Sequence, residues 1–381
     1  VTLLHYAANH SIALTEAQQP QIGVPTIKYL SKFVKDPNPP DNSGLTPMHY
    51  AVIEDKFSIV QHYSDTLPFG KKNPMENNDQ KFTPLHYATT EGHLHLVRII
   101  SYELADKNPM GGHDITPLHL AVNLNSGNAD VSIQRTGRYG GRKVFGKLEI
   151  VKFIVEALNR SEINTPADDF FDNNTPLHIL VNSLDPSPQL LPILSYLVSK
   201  IPIVNPRNSK GLTPEDIAFQ RGHLEAAKLL QLVSKLPKNR IEIIDAVGEG
   251  DLQKLKEELA KSGETNPDIT LMYFGDLKTK HNLHILDSQY ERLVYLPATV
   301  IHLAANQGKQ EIVEYLSKQL EGEQKETNPS LPIYDLSGSG LYGLSGFTPL
   351  HFAVQQGHIS VVESILSRLK TASKNPFSIA E

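Results

Sequence analysis

The sequence predicts an all-α solenoid, an array in which pairs of short helices stack along one axis. Three observations predict it: a Thr-Pro-x-His motif recurs along the chain, a glycine follows several copies, and Asn-Pro pairs recur between copies. The chain has 381 residues. A single compact core holds about 100 to 200 residues, so an extended array or several domains fit this length.

The recurring motif predicts the first helix of each unit. Its clearest copies begin at Thr46, Thr83 and Thr116, with spacings of 37 and 33 residues. Thr is a favoured N-cap, and the Pro after it lacks an amide that the first helical turn would leave without a partner. Each Thr-Pro pair therefore starts a helix. Further or weaker copies begin at Thr2, Thr175, Thr213, Thr299 and Thr348.

The rest of the unit is a turn, a second helix and an extended segment. A glycine nine residues after the Thr favours a helix end with positive φ, as at Gly92, Gly222, Gly308 and Gly357. A second helix follows, since apolar residues such as Leu94, Val97 and Ile100 recur at helical spacing. Asn-Pro then disfavours helical backbone and ends the unit. These pairs lie at 38–39, 73–74, 108–109, 205–206, 266–267, 328–329 and 375–376.

The sequence resembles the ankyrin-repeat family, whose signature is Thr-Pro-Leu-His-x-Ala with a period of about 33 residues. The resemblance covers nearly the whole chain. It implies helix-turn-helix units joined by β-hairpin fingers, and we count about nine units, several of them degraded. It also implies that the motif histidine binds its own Thr and neighbouring backbone.

The irregular spacings predict two blocks and four insertions. The residue equivalent to Thr is Ile241 in one unit, only 28 residues after Thr213, so a finger is missing there. We therefore predict one block of about six units at 1–236 and a second of about three at 237–381, whose first unit is degenerate. Longer spacings predict inserted loops near 9–23, 124–145, 268–292 and 330–342.

The composition excludes several classes of function. There is no cysteine, so disulfides, thiolate metal sites and cysteine nucleophiles are excluded. The net charge of −6 gives no general attraction to nucleic acid or anionic lipid. No apolar run approaches the roughly 18 residues of a membrane helix, so we expect no membrane insertion. We expect a cytoplasmic protein.

The chemical motifs favour structural interpretations. Seven of the 16 histidines fill the fourth place of the motif and three more follow the turn glycine, which favours roles in the fold. His281 and His284 lack further ligands at metal-binding spacing. Residues 338–343 fit the dinucleotide pattern G-x-G-x-x-G, but they neither follow a predicted strand nor open a helix. We expect no enzyme, no cofactor and no metal, although a Ser-His-Asp triad is recognised only by geometry.

The resemblance implies a partner-binding surface on the inner helices and finger tips. The positions concerned are the one before each motif Thr and the two that lie seven and eight residues after it. In this chain they are Leu45, Ile53 and Glu54; Phe82, Thr90 and Glu91; Ile115, Asn123 and Leu124; Leu212, Gln220 and Arg221; Phe347, Gln355 and Gln356.

The apolar residues before the Thr allow two interpretations. Leu45, Phe82, Ile115, Leu212 and Phe347 could form a ladder of anchors of the kind that dominates binding at interfaces. Equally, each could pack only against its own finger, because exposed apolar residues often have no function.

A basic segment lies within the second insertion. It contains Arg135, Arg138, Tyr139, Arg142 and Lys143 in an otherwise acidic chain. Arginine forks, flexible glycines and a tyrosine suit phosphate, an acidic peptide or single-stranded nucleic acid. A solvated loop without a ligand is the alternative.

The sequence thus predicts a non-catalytic scaffold that binds partner proteins. Two alternatives stay open. The array could be the targeting or regulatory portion of a larger enzyme, channel or effector, since both ends of the sequence cut through a unit. The basic segment could instead bind a phosphate-rich or nucleic-acid ligand.

Overall fold

A computed structural model describes residues 2–10, 23–102, 104–124, 147–183, 189–274, 294–323 and 348–369. Within these ranges the chain forms two compact units. One unit comprises residues 1–194 together with 207–213, and the other comprises 195–206 together with 214–381. The division falls before the predicted boundary between residues 236 and 237, which stays a prediction.

The described residues form nineteen α-helices and one two-stranded antiparallel sheet, so the predicted all-α repeat fold is confirmed. The helices are α1 Leu3–His10, α2 Gly23–Leu30, α3 Pro47–Ile53, α4 Phe57–Thr66, α5 Pro84–Glu91, α6 Leu94–Ser101, α7 Pro117–Val122, α8 Lys147–Val155, α9 Arg160–Ile163, α10 Pro176–Val181, α11 Leu190–Lys200, α12 Pro214–Gln220, α13 Leu224–Ser234, α14 Arg240–Glu249, α15 Leu252–Ser262, α16 Val300–Asn306, α17 Gln310–Gly322, α18 Pro349–Gln356 and α19 Ile359–Arg368. The strands are β1 Asp268–Phe274 and β2 Val294–Thr299.

Each ankyrin-like repeat starts at its Thr, as the motif predicts. Thr83 has extended backbone and Pro84 opens α5. The Thr hydroxyl accepts from the amide of His86, and the His86 ring accepts from the amide of Thr83. The helix ends at Gly92, whose φ is 77°. The same capping box occurs in the units that begin at Thr46, Thr116, Thr175 and Thr348.

The Asn of the Asn-Pro pair supplies a second cap to the same helix. Its Oδ1 accepts a hydrogen bond from the main-chain amide two residues after the Thr, an amide that has no partner within its own helix. The four pairs are Asn38 with Met48 at 2.9 Å, Asn73 with Leu85 at 3.0 Å, Asn108 with Leu118 at 2.8 Å and Asn266 with Ile301 at 3.0 Å. The Asn-Pro pattern alone predicts only the end of a repeat, so this cap is a further role of the Asn.

The motif histidine links neighbouring repeats. The amide of Thr46 donates to Nδ1 of His49 at 3.0 Å, so that nitrogen is an acceptor and the neutral ring carries its hydrogen on Nε2. Nε2 then donates to the carbonyl oxygen of the residue that precedes the next Thr. The pairs are His5 with Leu45 at 3.0 Å, His49 with Phe82 at 3.3 Å, His86 with Ile115 at 3.1 Å and His178 with Leu212 at 3.1 Å.

These histidines are held neutral. Burial lowers the pKa of His49 to about 3 and the pKa values of His86 and His119 to about 4. Protonation of Nδ1 would remove the acceptor that the Thr amide needs. The expected structural role, with bonds to Thr and neighbouring backbone, is therefore confirmed for His5, His49, His86 and His178, whereas for His119 only the bond to Thr116 is seen among the described residues.

The histidine after the turn glycine makes a link in the opposite direction. Nε2 of His358 lies 3.1 Å from the carbonyl oxygen of Asn306, at the end of the preceding inner helix. The His358 ring lies so close to Gly308 that a Cβ at residue 308 would approach Nδ1 of His358 to 2.8 Å. Glycine at residue 308 thus allows both the positive φ of 70° and the close contact with the His358 ring of the next repeat.

The third predicted insertion is part of a paired finger. β1 and β2 are antiparallel, and Asp268 pairs with Thr299 and Phe274 with Val294. The expectation of an inserted loop from residue 268 is therefore wrong up to Phe274, because these residues form a strand that lengthens the finger itself. Residues 275–293 lie outside the described ranges, as do most of the other three predicted insertions.

The predicted loss of a finger after α13 is confirmed, because only five residues separate Ser234 from Arg240. Arg240 is 2% exposed, and its guanidinium donates to the carbonyl oxygens of Val198 and, at 2.7 Å, Ile201. A cation there suits the negative end of the helix dipole of α11. This buried arginine therefore links α14 to the carboxyl end of α11. Arg240 lies at the start of the repeat that lacks a finger.

We expect Asn108→Ala to lower the free energy of unfolding by about 1 kcal/mol, since the amide of Leu118 would lose its cap. Urea unfolding followed by circular dichroism measures this effect. Asn42→Ala is the matched control, because Asn42 is an exposed finger residue. Equal unfolding midpoints for the two variants would show that the Asn cap contributes nothing.

We also expect acid to destabilise the array through its buried histidines. Their folded-state pKa values lie below the unfolded value near 6.5, so their stabilising effect is complete above that pH and is lost as the pH falls towards 4. The loss is on the order of 1 kcal/mol per pH unit for each imidazole. Urea midpoints at about pH 7.5 and 5.5 test this, because most carboxylates stay ionised in that interval. A constant midpoint would contradict it.

Candidate protein-binding surface

The positions seven and eight residues after the Thr lie at the ends of the inner helices. Five are exposed, namely Glu91, Gln220, Arg221, Gln355 and Gln356, and five are partly exposed, namely Ile53, Glu54, Thr90, Asn123 and Leu124. Within each compact unit these helix ends present mostly polar side chains to solvent. The helices place these residues at a surface, as a binding role requires.

The positions before the Thr are different. Phe82 and Ile115 are each 2% exposed, and Leu45 and Leu212 are partly buried. The ring of Phe82 stacks on His86 with 4.9 Å between centroids. Phe82 and Ile115 cannot reach a partner in this conformation, so the ladder of exposed anchors is corrected at these two places in favour of packing within the array. Phe347 lies outside the described residues.

A buried carboxylate shapes the finger that precedes Phe82. Glu76 is 2% exposed and accepts hydrogen bonds from the amide of Phe82 at 3.1 Å and from the hydroxyl of Tyr87 at 3.0 Å. Burial raises the pKa of Glu76, and these two bonds act in the opposite direction. Sequence reasoning missed this residue, although the extra length of this repeat indicates that its finger differs from the others.

Lys147 is a buried cation beside two of the predicted contact positions. Its ammonium donates to the carbonyl oxygen of Asn123, and it stands where another unit has His93, just after the turn glycine. Burial lowers the pKa of Lys147 to about 8, while the charge of Glu91 raises it. Lys147 therefore interacts electrostatically with Glu91 and is hydrogen-bonded to the carbonyl oxygen of Asn123 at the carboxyl end of α7. The match between Gly146-Lys147 and Gly92-His93 is the signal that could have identified it.

Several predicted features lie outside the described ranges. These are the basic segment with Arg135, Arg138, Tyr139, Arg142 and Lys143, the histidines His281 and His284, and the glycine pattern at 338–343. Within the described ranges, no helix has the length and apolar character needed to cross a membrane. In the same part of the chain, no group of three or more His, Asp or Glu side chains could hold a metal ion.

Comparison with known proteins gives consistent matches. A family model described as ankyrin repeats in three copies matches residues 259–377, and a single ankyrin-repeat model matches 80–109. The crystal structure of an ankyrin repeat domain from Acinetobacter baumannii is 18% identical, with a TM-score of 0.43, and the match covers 61% of this chain and 97% of that one.

Two curated mammalian proteins are also similar. The ankyrin repeat domain-containing protein 63 of Homo sapiens and that of Mus musculus are each 33% identical over 103 residues, or 27% of this chain. The matched segment spans 25% of the human relative and 24% of the mouse relative. The family-model matches show that the chain contains ankyrin repeats at residues 80–109 and 259–377, and the same capping box occurs in the repeats that begin at Thr46, Thr116 and Thr175.

Proposed function

We propose that this chain is a non-catalytic scaffold that recognises partner proteins through its inner-helix ends and fingers. Ankyrin repeats are generally protein-protein interaction modules. The observation that supports the proposal most directly is the division of polar groups in each repeat. The Thr, His and Asn of the motif are used in bonds that build the array, whereas the residues at the inner-helix ends are exposed or partly exposed.

The state of the histidines supports a non-catalytic role. A general base works best when its pKa lies near the working pH. The pKa values of His49, His86 and His119 are far below neutrality, and all three rings are buried. These imidazoles therefore suit a structural role and are poorly placed for proton transfer to a substrate.

The charge of the exposed helix ends indicates how partners would be selected. Glu54 and Glu91 lie in one compact unit, and Arg221 lies in the other. Charged groups at the rim of an interface contribute to specificity and association rate more than to affinity. The two units thus present different electrostatic patterns to a partner.

The wider context of the array is also a proposal. The matched segment makes up only about a quarter of each mammalian relative, so a role as the targeting portion of a larger protein is compatible with the comparisons. We likewise propose a cytoplasmic location and a phosphate-rich or nucleic-acid ligand for the basic segment at residues 135–143.

We expect Glu54→Arg and Gln356→Arg together to weaken the binding of a partner identified by pull-down about tenfold or more, since both introduce a long cation at the proposed contact surface. Surface plasmon resonance measures the affinity. Glu363→Arg is the control, because Glu363 is exposed on the outer helix α19. Equal affinities for the double variant and wild type would contradict the proposed surface.

Phe82→Asp should unfold its part of the array, whereas it would leave the fold intact if Phe82 were an exposed anchor. Placing a carboxylate in this packed position costs roughly 3 to 5 kcal/mol through lost packing and desolvation. Thermal unfolding measures the effect, and Phe219→Asp is the control, because Phe219 is 69% exposed. A folded Phe82→Asp protein with an unchanged midpoint would place the ring at the surface instead.

A further inference from the structure

Two neighbouring fingers bring together an aromatic and acidic cluster at their tips. The ring of His113 stacks on Phe170 with 4.5 Å between centroids and an angle of 22°. Nδ1 of His113 lies 3.0 Å from Oδ2 of Asp168. Phe171 meets both rings edge to face. We name His113, Asp114, Asp168, Asp169, Phe170 and Phe171 the tip cluster.

The backbone of both fingers adopts an energetically unfavourable conformation near the tip cluster. His113 and Asp114 have φ of 58° and 55°, and Asp172 and Asn173 have φ of 58° and 53°. Left-handed backbone is unfavourable for most residues with a side chain, although Asn and Asp tolerate it better than others. Hydrogen bonds hold it, since the amide of Asp168 donates to the carbonyl of His113 at 3.1 Å. The tip cluster is thus fixed before any ligand arrives.

Phe170 is the exposed centre of the cluster. It is 72% exposed, although one face of its ring is covered by His113. Scattered exposed apolar residues are common and need no function. This ring differs, because it is stacked on a histidine 57 positions earlier in the chain and the stack is fixed by the bond between His113 and Asp168.

The charge around Phe170 selects the class of ligand. Asp114, Asp168 and Asp169 lie in the cluster, and Asp172 adjoins it in ion contact with Lys210 at 2.6 Å. These four carboxylates, of which Asp172 is paired with Lys210, make the surface acidic, and an acidic surface repels phosphate groups and anionic lipid. A cation over the open face of an aromatic ring is attracted by the ring quadrupole. An arginine fork also matches the geometry of a carboxylate.

We propose that the tip cluster binds an arginine-bearing segment of a partner protein, an inference that rests on the proposed scaffold function. The guanidinium lies on the open face of Phe170 and forms hydrogen bonds with the carboxylate of Asp169. Asn173 donates to one oxygen of Asp169, which orients this carboxylate. The stack on His113 holds the Phe170 ring in place as the arginine binds.

The test is a titration of the whole chain with a short fluorescein-labelled peptide of alternating arginine and glycine, followed by anisotropy. We expect Phe170→Ala and Asp169→Asn each to weaken binding about three- to tenfold. The matched controls are Phe219→Ala, which removes another exposed phenyl ring, and Glu363→Gln, which removes another exposed carboxylate. Both controls should bind as wild type does, and the same peptide with glutamate in place of arginine should not bind.

Unchanged affinity in Phe170→Ala and Asp169→Asn, or an equal loss in the two controls, would overturn the inference. So would sedimentation velocity showing a wild-type dimer that Phe170→Ala converts to a monomer, since the occupant would then be a segment of a second copy. The two proposals fail separately. If Phe170→Ala loses peptide binding while the double variant Glu54→Arg and Gln356→Arg binds the partner normally, the tip cluster is supported and the proposed inner-helix surface is contradicted.

Discussion

The bond from the motif histidine to the next repeat is the interaction on which the rest of the array depends. A single imidazole accepts from its own Thr and donates to a carbonyl in the following finger, as His86 does between Thr83 and Ile115. One side chain thereby fixes the start of a helix, the position of a finger and the distance between two repeats. It does so only while neutral, so the geometry of the array and its response to acid have the same origin.

Much of the unit could be predicted from the sequence, because its local signals act over short distances. Thr-Pro starts helices and glycine ends them for reasons contained in a single turn, and the bounds of α5 follow from Thr83 and Gly92. The Asn cap was missed because Asn108 and Leu118 are ten residues apart. Nothing in an Asn-Pro pair shows which amide will face it. That contact exists only once the finger has folded back on its helix.

The surface was harder to predict than the fold, since an apolar residue before the Thr has the same sequence pattern whether it is buried or exposed. Phe82 is buried because its finger returns over His86, and Phe170 is exposed because it lies at the tip of another finger. Local pattern cannot separate these cases. The contact of His113 with Asp168 likewise could not be predicted, because it joins two fingers whose tips become neighbours only in the stacked array.

The histidine links also give the array a direction. The rings of His5, His49, His86 and His178 donate forward along the chain, so removing a repeat takes a different group from each of its two neighbours. The preceding repeat loses the acceptor of its imidazole hydrogen, as His49 would lose the carbonyl oxygen of Phe82. The following repeat loses only a donor to a carbonyl oxygen, which water can replace at a newly exposed face. Shortening the chain from its carboxyl end therefore exposes imidazole donors at the new terminal face, whereas shortening it from its amino end exposes carbonyl acceptors.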